Sequence, residues 1–135
     1  MFTERSAGER PNQRVAEQTV LVVDDDEALA DTCRYWLDGE RFAVETAYGG
    51  EEALERLDDS VDVVLLDRRM PTLSGDDVLD EVRARGIDCR VAMMTAVEPD
   101  TDIVEMPFDA YLVKPVSEEE VKQTVEELLF RSRFD

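Results

Sequence analysis

The chain has 135 residues and a mass of 15.4 kDa, which corresponds to one ordinary domain. Its 34 acidic and 15 basic residues give a net charge of −19, which disfavours direct nucleic-acid contact because phosphate binding needs basic side chains. The sequence contains no histidine, no paired cysteine motif and no long apolar run, which excludes the usual zinc sites and a membrane-spanning segment.

Strand and helix signals alternate along the first half of the chain. Residues 1–18 are polar and lack apolar periodicity, so we predict a flexible tail. An apolar run at 20–23 predicts a strand buried on both faces, and the alternation from Phe42 predicts an edge strand. Helical spacing predicts one helix that Gly39 ends and another over 51–58. Their inward side chains are expected to be Leu29, Cys33, Trp36, Leu37, Ala53, Leu54 and Leu57.

The second half of the chain continues the alternation. Buried strands are predicted over residues 61–67, 91–94 and 110–113. A helix between the first two of these strands is ended by Gly86. Its inward side chains are expected to be Val78, Leu79 and Val82.

The last third of the chain holds the weakest and one of the strongest helix signals. Pro99 and Pro107 leave room for only a turn or two of helix around residues 102–106. Ser117 and Glu120 form the pattern of a capping box, which opens the last helix. The apolar stripe of that helix consists of Val121, Val125, Leu128 and Leu129.

Five strands that alternate with five helices predict an α/β fold with one parallel sheet and helices on both faces. We predict the doubly wound, flavodoxin-like strand order 2-1-3-4-5. This order fits because the strand that starts at Phe42 resembles an edge strand, whereas the other four strands look buried.

Polar residues follow four of the predicted strands, at the edge where parallel sheets bind ligands. They are Asp24 and Asp25 after the first strand, then Asp67, Thr95 and Lys114. Three neighbouring carboxylates repel one another unless a cation is present, and an oxygen-only ligand set favours Mg²⁺. A lysine and a hydroxyl beside them supply the charge and the donor that a phosphoryl group needs.

Each of these residues also has a simpler interpretation when taken alone. Asp26 and Glu27 are best explained as the cap and the first-turn acid of the following helix. Asp67 could be a turn residue, Thr95 a strand end and Lys114 a solvated lysine. Their joint placement at one edge of the sheet favours a functional site.

Four motifs, in this order, resemble the receiver domains of two-component response regulators. They are VLVVDDDE at 20–27, VVLLDRRMPTLSG at 63–75, MMTA at 93–96 and YLVKP at 111–115. The resemblance covers about residues 19–131. The predicted organisation is therefore a polar tail over 1–18, a receiver domain over 19–131 and a short end over 132–135.

The resemblance implies a phosphoryl switch rather than an enzyme, although the domain takes part in its own phosphorylation and dephosphorylation. Asp67 would accept a phosphoryl group from a sensor histidine kinase. Thr95 would hydrogen-bond the acyl phosphate, and Lys114 would pair with its oxygens. Mg²⁺ would be the cofactor, and its protein ligands would be Asp25, less directly Asp24, Asp67 and the main-chain carbonyl of Arg69.

The resemblance also implies two features around the lysine. Tyr111 matches the family's switch aromatic, whose ring turns inward when Thr95 moves toward the phosphate. A cis peptide bond is implied between Lys114 and Pro115, and it would place the lysine in the site.

The sequence departs from the family pattern at two places, and these departures limit which family properties we expect of this chain. Thr95 and Lys114 are only 19 positions apart, so the fourth helix is expected to be short and a family-type homodimer stays open. Arg69 and Val97 place bulk and an apolar group beside the site. We expect them to hinder an attacking water and to prolong the phosphoryl state.

The acidic composition and the sequences of these motifs also resemble those of receivers from halophilic archaea. Acidic residues repel one another less at high salt, because the Debye length falls from ~30 Å at 0.01 M to ~3 Å at 1 M. An acidic protein from an ordinary environment is the alternative. The lone thiols Cys33 and Cys89 suit a reducing cytoplasm. The chain would be either a single-domain regulator or a piece of a longer polypeptide.

Two rival functions remain. A pseudo-receiver regulates its partner without phosphorylation, but it would lack an acid, the threonine or the lysine of the site, and none is missing here. A Mg²⁺-dependent phosphohydrolase with an aspartyl nucleophile generally needs an acid/base aspartate two positions after the nucleophile, where this chain has Arg69.

Overall fold

The computed structural model describes residues 18–39, 42–96 and 106–134, without the side chains of 131–134. These residues form one sheet of five parallel strands in the order β2-β1-β3-β4-β5. The strands are β1 (Gln18–Val23), β2 (Phe42–Ala47), β3 (Val63–Asp67), β4 (Arg90–Thr95) and β5 (Ala110–Val113). The predicted doubly wound, flavodoxin-like fold is therefore confirmed.

The described part of the chain contains four helices that cover both faces of the sheet. They are α1 (Glu27–Leu37), α2 (Gly50–Arg56), α3 (Gly75–Ala84) and α4 (Glu118–Phe134). Of the short helix predicted over 102–106, only Met106 belongs to the described residues. The predicted tail likewise falls outside them, except for Gln18, which already pairs with Phe42 as the first residue of β1.

Alternation along the buried strands divides the core into two clusters. Val22 and Leu65 face α1 and α4, whereas Val23 and Leu66 face α2 and α3. The stripe predicted for the last helix is buried in the first cluster, as expected from its helical spacing. Burial of apolar side chains on both faces is the main stabilising contribution to such a sheet.

Side chains cap the helices where the sequence patterns indicated. The Oδ1 atom of Asp26 accepts a hydrogen bond from the Leu29 amide at 3.2 Å at the start of α1. Before α4, the Glu120 amide donates to the Ser117 Oγ at 3.1 Å, and the Ser117 amide donates to the Glu120 Oε1 at 3.0 Å. These bonds satisfy amides that a helix start leaves without partners.

The prediction that β5 is a buried strand is wrong. Within the described ranges β5 pairs with β4 alone, so it forms the second edge of the sheet, and Tyr111 in its centre is 43% exposed. The last helix is described as far as Phe134. Among the helices that the structure describes, none has the length and hydropathy to cross a membrane.

Candidate functional site

The strand register brings the predicted site residues to one edge of the sheet. Asp24 directly follows β1, whose Val23 pairs with Leu66 immediately before Asp67. Asp67 ends β3 and pairs with Met94, one residue before Thr95. These positions are separate in the sequence, and the parallel sheet makes them neighbours.

Lys114 bridges two buried carboxylates. Its Nζ atom lies 3.0 Å from the Oδ2 atom of Asp24 and 3.0 Å from the Oδ1 atom of Asp67. Its backbone amide donates to the Thr95 carbonyl at 2.7 Å, which ties the lysine to the end of β4. The peptide bond between Lys114 and Pro115 is cis, as the family resemblance predicted.

The adjacent acids Asp24 and Asp25 occupy different environments. Asp24 is fully buried, and its Oδ1 atom accepts a hydrogen bond from the Asp26 amide at 2.9 Å while its Oδ2 atom contacts Lys114. Asp25 is exposed. Of these two residues, it is Asp24 whose carboxylate contacts the lysine.

The buried carboxyl of Asp67 has a strongly perturbed proton affinity. Burial raises its pKa to about 7, the hydrogen bond from Lys114 opposes that rise, and the nearby charge of Asp24 adds to it. Burial disfavours the charged form of Lys114 as well. The hydrogen bonds to Asp24 and Asp67 outweigh this effect, so the pKa of Lys114 lies above its ordinary value.

The donor set at this edge fits a hard divalent cation. Asp24, Asp25 and Asp67 each offer a carboxylate oxygen, and these oxygens lie within 4.8 Å of one another. Three carboxylates face one ammonium group, so the cluster keeps an excess of negative charge when all of them are ionised. Oxygen ligands and a charge excess are the conditions that favour Mg²⁺ over softer metals.

The remaining predicted residues differ in their surroundings. Thr95 is buried at the end of β4. The side chain of Arg69 is exposed in the loop after β3, and Val97 lies outside the described residues. The Tyr111 ring is turned outward and meets the Phe108 ring edge to face, with centroids 6.1 Å apart.

Two supports of the site were missed by the sequence predictions. A Cβ atom on Gly75 would overlap the carbonyl oxygen of Asp67, so the start of α3 approaches the end of β3 too closely for any side chain. Arg68 forms an ion pair with Asp76 across the same loop, at 3.0 Å from Nε to Oδ1. The available signals were a glycine at the first position of α3 and an arginine directly after the aspartate that ends β3.

Comparisons with known proteins agree with this geometry. Residues 20–126 match the family model of the response regulator receiver domain. A Haloferax volcanii protein, named provisionally as a transcriptional regulator, is 84% identical over all 135 residues, which are 23% of its length. The transcriptional regulatory protein CpxR of Klebsiella pneumoniae is 41% identical over 118 residues, which cover 85% of this chain and 50% of CpxR.

Solved structures show the same fold. A CheY-like receiver from Methanospirillum hungatei superposes with a TM-score of 0.79 at 25% identity, over 86% of this chain and 96% of that one. The response regulator TrrA of Thermotoga maritima, solved in complex with Mg²⁺ and BeF, gives a TM-score of 0.73 at 33% identity, over 83% of this chain and 99% of that one.

This chain spans half or less of the length of the curated relatives compared above, whereas it covers nearly all of these single receiver structures. The matched model, the halophilic relative and the strand-end cluster lead to one assignment. The chain belongs to the family of response regulator receiver domains, the phospho-accepting signalling domains of two-component systems.

Proposed function

We propose that Asp67 is the phosphoryl acceptor of this receiver and that a sensor histidine kinase is the donor. The observation that carries this assignment is the Lys114 ammonium group, which lies 3.0 Å from both Asp24 and Asp67. Among the acids of the site, Asp67 combines burial at a strand end with direct contact to a cation and a raised pKa.

The reaction is a transfer of the phosphoryl group from a histidine nitrogen to a carboxylate oxygen. The P–N bond breaks while a P–O bond forms to Asp67, and the released imidazole takes a proton from solvent. Asp67 must be ionised to attack, and the Lys114 hydrogen bond favours that form. Lys114 can then follow the charge onto a phosphoryl oxygen, and the Thr95 hydroxyl can donate to another.

Asp24, Asp25, Asp67 and the carbonyl of Arg69 would hold Mg²⁺. When bound, the ion neutralises negative charge on Asp67 and on the incoming phosphoryl oxygens. The role of this chain is to preassemble the carboxylates. Asp24 is fixed by two hydrogen bonds, whereas the exposed Asp25 can adjust to the metal and its waters.

Phosphorylation would be transmitted through the neighbours of Lys114. The lysine is bonded through its backbone to Thr95 and follows β5, which carries Tyr111. A new phosphate that attracts both the ammonium group and the hydroxyl favours a different arrangement of this edge strand. Inward rotation of Tyr111 is the expected result, and the surface around β5 would be the signalling surface.

The wider biological role is a proposal that rests on the relatives. Their names describe transcriptional regulators, so we propose that this receiver controls a transcriptional output without contacting nucleic acid itself. A cytoplasmic location follows from a histidine kinase donor. A homodimer of this chain is a secondary proposal.

Intact-mass spectrometry tests this function directly. The protein is incubated with acetyl phosphate and Mg²⁺, and we expect the mass of one phosphoryl group to be gained. Asp67→Asn should prevent the gain, whereas Asp59→Asn, in an exposed loop, should not. An unmodified wild type that still binds a histidine kinase would instead indicate a pseudo-receiver. Continuous release of phosphate at enzymatic rates would indicate a phosphohydrolase.

A further inference from the structure

We propose that the ion pair between Arg68 and Asp76 is a clamp that positions the loop after Asp67 and thereby sets the Mg²⁺ affinity of the acidic cluster. This inference rests on the proposed function and assigns Arg68 and Asp76 as positioning residues, because neither of them is a metal ligand in that scheme.

The ion pair uses both oxygens of the carboxylate. The Nε atom of Arg68 lies 3.0 Å from the Oδ1 atom and 3.3 Å from the Oδ2 atom of Asp76, and Nη2 lies 3.3 Å from Oδ2. Contacts between a planar guanidinium and both oxygens fix orientation as well as distance. The side chain of Arg68 is only 12% exposed and that of Asp76 is 35% exposed, so water screens this pair less than a surface pair.

Strand alternation explains why Arg68 reaches α3. Leu66, two residues earlier, packs on the side of the sheet that faces α2 and α3. Arg68 points to the same side, where Asp76 occupies the first turn of α3. Asp67, between them, points to the opposite side and meets Lys114. Neighbouring residues therefore divide the two tasks of binding the ligand and holding the loop.

The backbone of Arg68 forms two further ties at the same point. Its amide donates to the Met94 carbonyl at 2.8 Å, and its carbonyl accepts from the Gly75 amide at 2.8 Å. Together with the side-chain ion pair, these bonds join the end of β3 to β4 and to the start of α3. Residues 69–74 form the loop that is closed in this way, and it includes the Arg69 carbonyl proposed as a Mg²⁺ ligand.

A shift of the loop would be transmitted to Asp67 itself. The start of α3 lies so close to the Asp67 backbone that even a methyl group on Gly75 would overlap it. Loss of the Asp76 carboxylate removes a charge that helps to offset burial of the guanidinium. Contact with water would then lower the free energy of the guanidinium group, so Arg68 would move outward. The Arg69 carbonyl would move with it.

The expected change in Mg²⁺ affinity can be judged from residues that support metal ligands in other proteins. Changes in such supporting residues typically weaken metal binding by about 10–100-fold. We expect Arg68→Met and Asp76→Asn each to raise the dissociation constant for Mg²⁺ by about 10-fold. Both variants break the same ion pair, so the double variant should bind Mg²⁺ no more weakly than either single variant. Such non-additivity is expected of a coupled pair.

The matched control is an exposed ion pair on the same helix. Arg85 and Glu81 also meet at 3.0 Å, but their side chains are 40% and 46% exposed, and they lie at the far end of α3. Arg85→Met and Glu81→Gln should leave Mg²⁺ binding within about twofold of the wild type, because exposed pairs of this kind contribute little.

The experiment is a calorimetric titration of each variant with MgCl₂ in buffered KCl, without a phosphodonor. Two further quantities are measured for each variant: the free energy of unfolding without Mg²⁺ and the rate of phosphorylation by acetyl phosphate. The clamp predicts weaker Mg²⁺ binding and slower phosphorylation in both Arg68 and Asp76 variants, and partial recovery in Arg68→Lys. Variants that lose stability but bind Mg²⁺ as the wild type does would overturn the clamp and leave a purely structural ion pair.

The Mg²⁺ titration also keeps this inference separate from the proposed function. If the wild type binds Mg²⁺ but gains no phosphoryl group, the proposed function fails while the clamp is still tested by metal affinity. If the wild type is phosphorylated and the clamp variants match it in affinity and rate, only the clamp is wrong.

Discussion

Lys114 and Asp67 are separated by 47 residues in the sequence, yet the Nζ atom of one lies 3.0 Å from an Oδ1 atom of the other. The same ammonium group contacts Asp24, so a single cation holds two buried acids at the ends of β1 and β3. Of the two lysines in the chain, only Lys114 is at this edge. Replacement of Lys114 should therefore alter the acidic cluster, whereas replacement of Lys122 should not.

Lys114→Met should raise the pKa of Asp67 further, because both the hydrogen bond and the positive charge of the lysine favour the carboxylate. We also expect phosphorylation to slow by roughly 100-fold, as for the loss of one donor to a developing charge. A ¹³C NMR titration of the carboxyl carbons without Mg²⁺ measures the first effect. Lys122→Met, which removes a pair with Glu118 on α4, is the control and should shift neither quantity.

The raised pKa of Asp67 predicts a pH dependence of stability in the absence of metal. Its folded-state pKa of about 7 lies above the ordinary value of 3.8, so between these values the folded protein keeps a proton that the unfolded chain has lost. The contribution of this carboxyl to stability is therefore present at low pH and is lost as the pH rises toward 7.

Comparison with a variant isolates this contribution. In EDTA, the stability of Asp67→Asn relative to the wild type should increase from about pH 4 to about pH 7, and saturating Mg²⁺ should reduce the difference because it favours the carboxylate. Urea unfolding at a series of pH values measures it. A constant difference across this range would show that Asp67 titrates normally in the folded protein.

Much of this site could be predicted from the sequence because it depends on strand ends. Apolar runs that stop at Asp24, Asp67 and Thr95 are visible in one dimension, and the rule that parallel strands end at the same edge brings them together. The resemblance separated the roles of Asp24 and Asp25, but not their burial. Two adjacent aspartates look alike in a sequence, whereas the fold buries Asp24 and leaves Asp25 exposed.

Other features depend on tertiary contacts that leave a weak sequence signal. The run at 110–113 looks buried because its residues are apolar, but the order of strands makes β5 an edge and exposes Tyr111. The pair between Arg68 and Asp76 spans a loop and has no periodic spacing. Gly75 resembles an ordinary first residue of a helix, and only the approach of the Asp67 carbonyl shows why no side chain fits.

Gly75→Ala should destabilise the protein by roughly 1–3 kcal/mol, because the new methyl group overlaps the backbone at Asp67, which cannot rotate away. We also expect weaker Mg²⁺ binding, since the overlap displaces a ligand. Gly49→Ala is the control: a Cβ atom there has no neighbour within 4 Å, and its loss of stability should stay below about 1 kcal/mol. Equal effects of the two variants would contradict the close approach.

The charge of −19 predicts stabilisation by simple salts. Between about 0.1 M and about 1 M KCl the Debye length falls from about 10 Å to about 3 Å, so repulsion among surface acids decreases and the free energy of unfolding should rise. A variant with four exposed acids replaced by amides (Glu55, Asp59, Asp80 and Glu126) should gain less from the same change. An equal gain in both proteins would assign the salt effect to something other than charge repulsion.

Localisation of the phosphoryl group tests the assignment of Asp67 most directly. The protein is phosphorylated by acetyl phosphate with Mg²⁺, reduced with borohydride, which converts an aspartyl phosphate to homoserine, and mapped by peptide mass spectrometry. We predict homoserine at position 67 alone, and none in a sample that was never exposed to the phosphodonor. Homoserine at position 24 or 25, with position 67 unchanged, would contradict the proposed acceptor.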